Sequence, residues 1–163
     1  MTGVVAWFTG LPSSGKSTLA LAVASELRLR DIRAVVLDSD DVRPLLPHLG
    51  YDEASRNYLY GALARLAALI ARQGHVVLVP ATAHRRAYRD AARALAPAFL
   101  EIFVDTPLEE CRRRDTKGLY GAKVVAAPGV GTEYERPTAA DFHVRLTDDD
   151  AAAEIAERLD EMV

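Results

Sequence analysis

The nine residues Gly10-Leu11-Pro12-Ser13-Ser14-Gly15-Lys16-Ser17-Thr18 satisfy the phosphate-loop pattern G-x-x-x-x-G-K-[ST], and their flanks give it mechanical meaning. Before them runs Val4-Val5-Ala6-Trp7-Phe8, an unbroken apolar stretch that reads as a buried strand. After them comes a helix-forming stretch over 19–30. In this strand–loop–helix setting Gly10 and Gly15 let backbone N–H groups turn inward around a phosphate. Lys16 reaches the outer phosphates, and Ser17 offers its hydroxyl to magnesium. Gly10, Leu11, Pro12, Ser13, Ser14, Gly15, Lys16, Ser17 and Thr18 together form the candidate cradle, and a nucleoside triphosphate is the ligand they imply. A glycine-rich turn that binds nothing is the bland alternative, and the flanking strand and helix count against it.

The rest of the chain repeats the alternation. Residues 34–37 read as a second buried strand, ending at Asp38. Over 53–72, Leu59, Leu63, Leu66, Leu69 and Ile70 recur at helical spacing, closed by Gly74, and this Ala/Leu pattern reads as core. Strands follow at 75–79, 99–104 and, more weakly, 142–146, with helices at 85–95, 107–114 and 149–162 between and after them. Such alternation implies an α/β fold of three layers, a mainly parallel sheet covered by helices on both faces, with ligands gathered at the carboxyl ends of the strands. Nothing in the composition divides the chain, so 1–163 is expected to be a single domain. The exception to regular structure is 116–137, too polar and glycine-rich for core, which reads as a lid; the lid segment is taken as about 112–137.

Charge and cysteine content exclude several function classes. A net charge of −3 leaves no broad basic field for nucleic acid or an anionic membrane. Cys111 is the sole cysteine, so no internal disulfide forms, which suits a cytoplasmic location. The first twenty residues carry no basic n-region, and no apolar run approaches membrane-spanning length. His48, His75, His84 and His143 show no metal-ligand spacing with one another or with Cys111. The expected partner is therefore a small-molecule substrate, with neither nucleic acid nor membrane involved.

A second chemical signal, Asp38-Ser39-Asp40-Asp41-Val42-Arg43, lies just past the second strand. Carboxylates there, beside a magnesium-triphosphate site, can hold a metal-bound water and accept a proton from an attacking hydroxyl. Asp40 is assigned the base role and Asp38 the metal side, shared with Ser17. The alternative is that Ser39, Asp40 or Asp41 merely caps a short helix running toward Leu46.

The third signal is Val104-Asp105-Thr106-Pro107-Leu108-Glu109-Glu110-Cys111-Arg112-Arg113-Arg114-Asp115-Thr116-Lys117-Gly118-Leu119-Tyr120. With the phosphate loop, the D-x-D-x-V-R element and Tyr134-Glu135-x-Pro137, this run resembles the adenylylsulfate kinases, whose pattern is roughly V-D-T-P-L-x-x-C-x-x-R-D-x-K-G-L-Y. The resemblance implies a P-loop kinase fold and transfer of the ATP γ-phosphate to the 3′-hydroxyl of adenosine 5′-phosphosulfate. It also implies ATP and Mg2+ as cofactors, a closing lid and a homodimer. Carried over by motif, Lys16, Asp38 and Asp40 are catalytic, Arg114 supports the nucleotide, and Asp40, Arg43, Arg56, Arg86, Lys117 and Leu119 bind the acceptor.

Departures cluster on the acceptor side. Ser39 and Asp41 replace the glycine and asparagine of D-G-D-N, and Leu59-Tyr60-Gly61-Ala62 stands for N-I-R-R. Ala81-Thr82-Ala83-His84-Arg85-Arg86-Ala87-Tyr88-Arg89 stands for I-S-P-Y-R-x-x-R in either of two registers one residue apart, with the serine-proline lost, and Pro128-Gly129-Val130-Gly131 for F-T-G-I. Two further readings stay open: a kinase of a different nucleotide conjugate or sugar-like hydroxyl, and a noncatalytic ATP-binding switch. A GTPase is disfavoured because no N-K-x-D guanine motif is present.

Overall fold

β1 (Val4–Thr9) is buried along its whole length and lies at the centre of a five-stranded sheet in the order β2-β3-β1-β4-β5. Every pairing in the sheet is parallel. The computed structural model describes residues 2–47, 49–115, 118, 120, 132–145 and 147–163. In chain order the other elements are α1 (Lys16–Leu29), β2 (Ala34–Val36), α2 (Ser39–Val42), α3 (Glu53–Ala71), β3 (Val76–Pro80), α4 (Arg86–Leu95), β4 (Phe99–Val104), α5 (Leu108–Arg113), β5 (Phe142–Val144) and α6 (Ala151–Asp160). The expected alternation holds, and with it the three-layer P-loop kinase fold.

Successive side chains of a strand point to opposite faces, and β1 shows what that does here. Val4, Ala6 and Phe8 pack with Ala20, Val23 and Leu27 of α1 and with Ile155 and Leu159 of α6. Val5 and Trp7 face the other way, onto Leu59, Leu63 and Ala67 of α3 and Ala92 of α4. Each fully buried leucine here contributes roughly 1.5–3 kcal/mol by leaving water. Because β1 serves both cores, its carboxyl end is held from two sides. The phosphate loop starts from that rigid point.

Two sequence expectations shift. The long helix buries Leu59 and Leu63 but leaves Leu66 and Leu69 exposed, Leu69 at 55%, so the Ala/Leu pattern is core only along the stripe shared with Ala64, Ala67 and Ala71. The first helix begins at Lys16 rather than at 19, because left-handed Gly15 ends the loop and the helix starts on the next residue. Among the described residues no helix is long and apolar enough to cross a membrane.

Candidate active site

The loop owes its shape to two glycines. A Cβ on Gly10 would fall 2.5 Å from the Val104 carbonyl oxygen and 2.8 Å from Ser14 Oγ, so the loop can press against the end of β4 only without a side chain. Gly15 has φ 100°, where side chains are strained, and it sets the first N–H groups of α1 against the loop. Four loop carbonyls are engaged by side chains, two from outside the loop and two from within it. Thr106 Oγ1 donates to Ser14 O at 2.7 Å, Tyr120 Oη to Pro12 O at 2.7 Å, and the loop's own Lys16 Nζ to Gly10 O and Leu11 O at 3.2 and 2.8 Å. The N-terminus of α1, which the loop opens into, presents a positive end for an anion.

From this loop a hydrogen-bond chain runs to the acidic element. Ser17 Oγ donates to the Asp38 carboxylate, whose other oxygen accepts from Asp40 N at 2.9 Å. Asp38 is thus the N-cap of α2, so the capping role weighed as the alternative for Ser39, Asp40 or Asp41 falls to Asp38. Asp40 and Asp41 occupy its first turn and are exposed. Ser17, Asp38 and Asp40 therefore come together at the carboxyl edge of the sheet.

On the nucleotide side, Arg114 Nη1 lies 3.9 Å from where a Gly15 Cβ would sit. Its Nε donates to Glu110 at 2.8 Å, and Arg113 donates to the same carboxylate at 3.0 and 2.6 Å. Those bonds, Arg113's foremost, hold the Glu110 carboxyl below its ordinary range. Arg113 is the more exposed of the two arginines. Cys111 is buried, its thiol pushed up by burial, and packs against Thr106 O.

The acceptor-side candidates divide. Arg56 is only 6% exposed on α3 and donates to Thr132 Oγ1 at 3.3 Å. Arg43 donates to Gly50 O at 2.5 Å and lies 4.4 Å over the Tyr51 ring. Both charges act on the buried Tyr60 hydroxyl, whose pKa is raised first by desolvation. Arg86, by contrast, is exposed; its N–H donates to Glu135 and its guanidinium to Arg136 O, so it grips the 134–136 strap. Lys117 and Leu119 lie outside the described residues.

Several residues were missed by sequence reasoning. His84 is 3% exposed, its ring stacked edge-on with Tyr60 and Tyr88, and burial, then the Arg56 charge, pushes its pKa down to about 4. Tyr134 donates to or accepts from Thr9 Oγ1 at 2.8 Å, and burial pushes its hydroxyl up to about 12. Arg89 is 1% exposed and pairs with Glu101 of β4 at 3.7 Å. A usable signal existed: Glu101 interrupts the apolar run Phe99-Leu100-Glu101-Ile102-Phe103-Val104, and a charge in a buried strand demands a partner. Beside the loop, at the end of β4, a cavity of about 590 Å³ is lined by Leu11, Phe103, Thr106, Leu108, Thr132 and Tyr134.

A family model described as adenylylsulphate kinase matches residues 2–145. The chain belongs to the adenylylsulphate kinase family. An adenylyl-sulfate kinase of Synechococcus sp. (strain JA-2-3B'a(2-13)) is 40% identical, covering 83% of this chain and 80% of that protein. The bifunctional enzyme NodQ of Azospirillum brasilense is 44% identical over 98% of this chain, which spans 27% of that protein's length. Among solved structures, the Mycobacterium tuberculosis APS kinase CysC in complex with AMPPNP and APS superposes with a TM-score of 0.84 at 36% identity, covering 99% of this chain and 97% of that one. This kinase-family membership accounts for the phosphate loop, the acidic element and the 104–120 run as parts of one pattern.

Proposed function

We propose that this chain transfers the γ-phosphate of ATP to the 3′-hydroxyl of adenylylsulfate. The observation that supports the reading best is the chain from Ser17 through the Asp38 carboxylate to the Asp40 backbone N–H, which ties the phosphate cradle to the start of the helix that carries Asp40. Phosphoryl transfer asks the protein mainly to position and to neutralise. The backbone of residues 10–18 holds the phosphates, Lys16 turns from the loop carbonyls onto the outer phosphates, and Arg114 approaches the same loop from α5. Asp40 takes the proton from the attacking hydroxyl at its carboxylate. Arg43, Arg56, Lys117 and Leu119 hold the acceptor, with Arg86 acting through the strap.

The donor set beside the cradle, a serine hydroxyl and a carboxylate, suits Mg2+, which prefers hard oxygens and is usually held by one or two carboxylates together with the substrate's phosphates. Among the described residues no group of three or more His, Cys, Asp or Glu is placed to hold a metal ion. Ser17 and Asp38 would hold the ion, which would supply positive charge to offset that of the transferring phosphate. From the family likeness we read 1–163 as one kinase unit with a lid over about 112–137, acting as a cytoplasmic homodimer.

One observation favours the second reading, a different hydroxyl acceptor. Where the family pattern carries the two arginines of N-I-R-R, this chain has Gly61 and Ala62, which bring no charge to an anionic acceptor. Release of ADP from magnesium-ATP decides. Adenylylsulfate-dependent release supports the first reading, release only with another hydroxyl metabolite supports the second, and release that needs no acceptor overturns both.

A further inference from the structure

After Trp7, the largest fully buried side chain in the molecule is that of Arg89, which no part of the catalytic account uses. It lies on α4, facing the sheet beside Ala92. Its surroundings show a clamp. Arg89 Nη1 donates to Ala83 O at 2.5 Å and Nη2 to Glu135 O at 2.6 Å, while Nε faces the Glu101 carboxylate at 3.7 Å. One planar guanidinium therefore joins the β3–α4 loop, the 134–136 strap at the end of the lid segment, and β4. The fork geometry matters: a lysine ammonium, a point donor on a flexible stem, does not reproduce it.

What the clamp holds is a loop with every carbonyl assigned. Ala81 O accepts from Trp7 Nε1, Thr82 O from Thr9 Oγ1, Ala83 O from Arg89, and His84 O from Glu135 N at 2.7 Å. Within it Ala83 sits at φ 41°, a left-handed conformation that a non-glycine residue keeps only when its surroundings over-determine it. The next residue is His84, packed between Tyr60 and Tyr88 and within the field of Arg56. The strap is fixed to the same loop a second time, by Arg86 N–H on the Glu135 carboxylate. Thr132, just ahead of the strap, accepts from Arg56.

We infer that Arg89 is a positioning residue for the acceptor: by bridging Ala83 O and Glu135 O it sets the loop that carries His84 against the foot of the lid segment, so that acceptor site and strap are ordered together. The inference rests on the acceptor lying on this side of the sheet, as proposed above. Glu101 has a different part. Its carboxylate faces Arg89 and Arg93 and reaches the strap's Tyr134 through its charge, so the two residues can be separated by experiment.

Three variants make the test: Arg89→Lys, which keeps the charge but loses the fork, Arg89→Met, which removes both, and Glu101→Gln, which loses the counter-charge and keeps the clamp. Arg89→Lys is expected to raise the acceptor KM about 10-fold with the ATP KM within about twofold, the split that marks loss of acceptor binding alone. Hydrogen exchange at the Arg86 and Glu135 amides should speed up in the same variant, about 10-fold, while amides of β1 keep their protection. Glu101→Gln should lower Tm and leave the acceptor KM within about twofold. Unchanged exchange at the Arg86 and Glu135 amides in Arg89→Lys overturns the inference, as does a rise of both KM values in step with a fall in Tm. If the wild-type protein does not phosphorylate adenylylsulfate, the substrate reading has failed, and the exchange experiment still decides the clamp. Should Arg89→Met fail to fold, Arg89→Lys carries the test alone.

Discussion

The two halves of the site are built in opposite ways. The phosphate half uses nine consecutive residues, and most of its binding groups are peptide N–H groups that glycine geometry turns inward. The acceptor half, as proposed, draws on α2, α3, the β3–α4 loop and the strap, where Arg56 and Arg89 are buried. A backbone cradle tolerates exchange of Leu11, Pro12 or Ser13, whose side chains are not the ligands. A half made of buried charges tolerates little, since each guanidinium must keep partners that lie far away in sequence.

The contrast breaks first at Lys16. Lys16→Ala should cut transfer by at least about 10³-fold, on the scale of charged groups in phosphoryl transfer, and weaken ATP binding with Tm unchanged. Near-normal turnover would leave the cradle without its supposed function. Next comes the group between the halves. Asp40→Asn is expected to lower kcat roughly 10²- to 10⁴-fold while ATP affinity holds, as measured by single-turnover kinetics and ATP titration. Collapse of ATP binding with persistent turnover of bound substrate would make Asp40 a metal-side group instead.

On the acceptor half alone, Arg56→Ala should raise the adenylylsulfate KM about 10-fold, close to 1.4 kcal/mol, with the ATP KM fixed. Equal effects on both constants would erase the distinction between the halves. An effect of similar size is a pH signature. Folded His84 takes up a proton only near 4, against an ordinary value near 6.5, because burial and Arg56, Arg85 and Arg89 oppose the charge and Glu135 only partly offsets them. Its stabilising contribution is therefore complete above about pH 6.5 and is lost as pH falls toward 4. Between pH 7 and 5, wild type should lose about 1–2 kcal/mol more than His84→Phe in urea unfolding. Parallel losses would show that His84 does not titrate against the fold.

Much of the architecture was legible because local pattern and global fold agree. Apolar runs marked β1, β3 and β4, the glycine pair marked the loop, and helical spacing marked α3. The cap on α2 was misplaced by one residue: Asp38 lies outside the helix it begins, and a run of four cappable residues does not say which has extended backbone. Arg86 and Arg89 look alike in sequence, two arginines on one amphipathic helix. Only the helix's rotation against the sheet sends one to the surface and the other into the core. Leu69 illustrates the converse, a periodic leucine with no sheet beneath it.

The strand order has a consequence for how the molecule comes into being. β1 pairs Val5 with Val77 on one side and with Phe99 on the other, so the strand that launches the phosphate loop is the first made and must wait for both neighbours. Closing those gaps costs chain entropy before any contact rewards it, which slows folding dominated by such distant parallel pairings. During synthesis the Val4–Thr9 strand therefore spends the time needed to add nearly a hundred residues as an apolar, unpaired edge. Nucleotide can meet a finished cradle only after β4 docks, because Thr106 and the Val104 carbonyl form its outer wall.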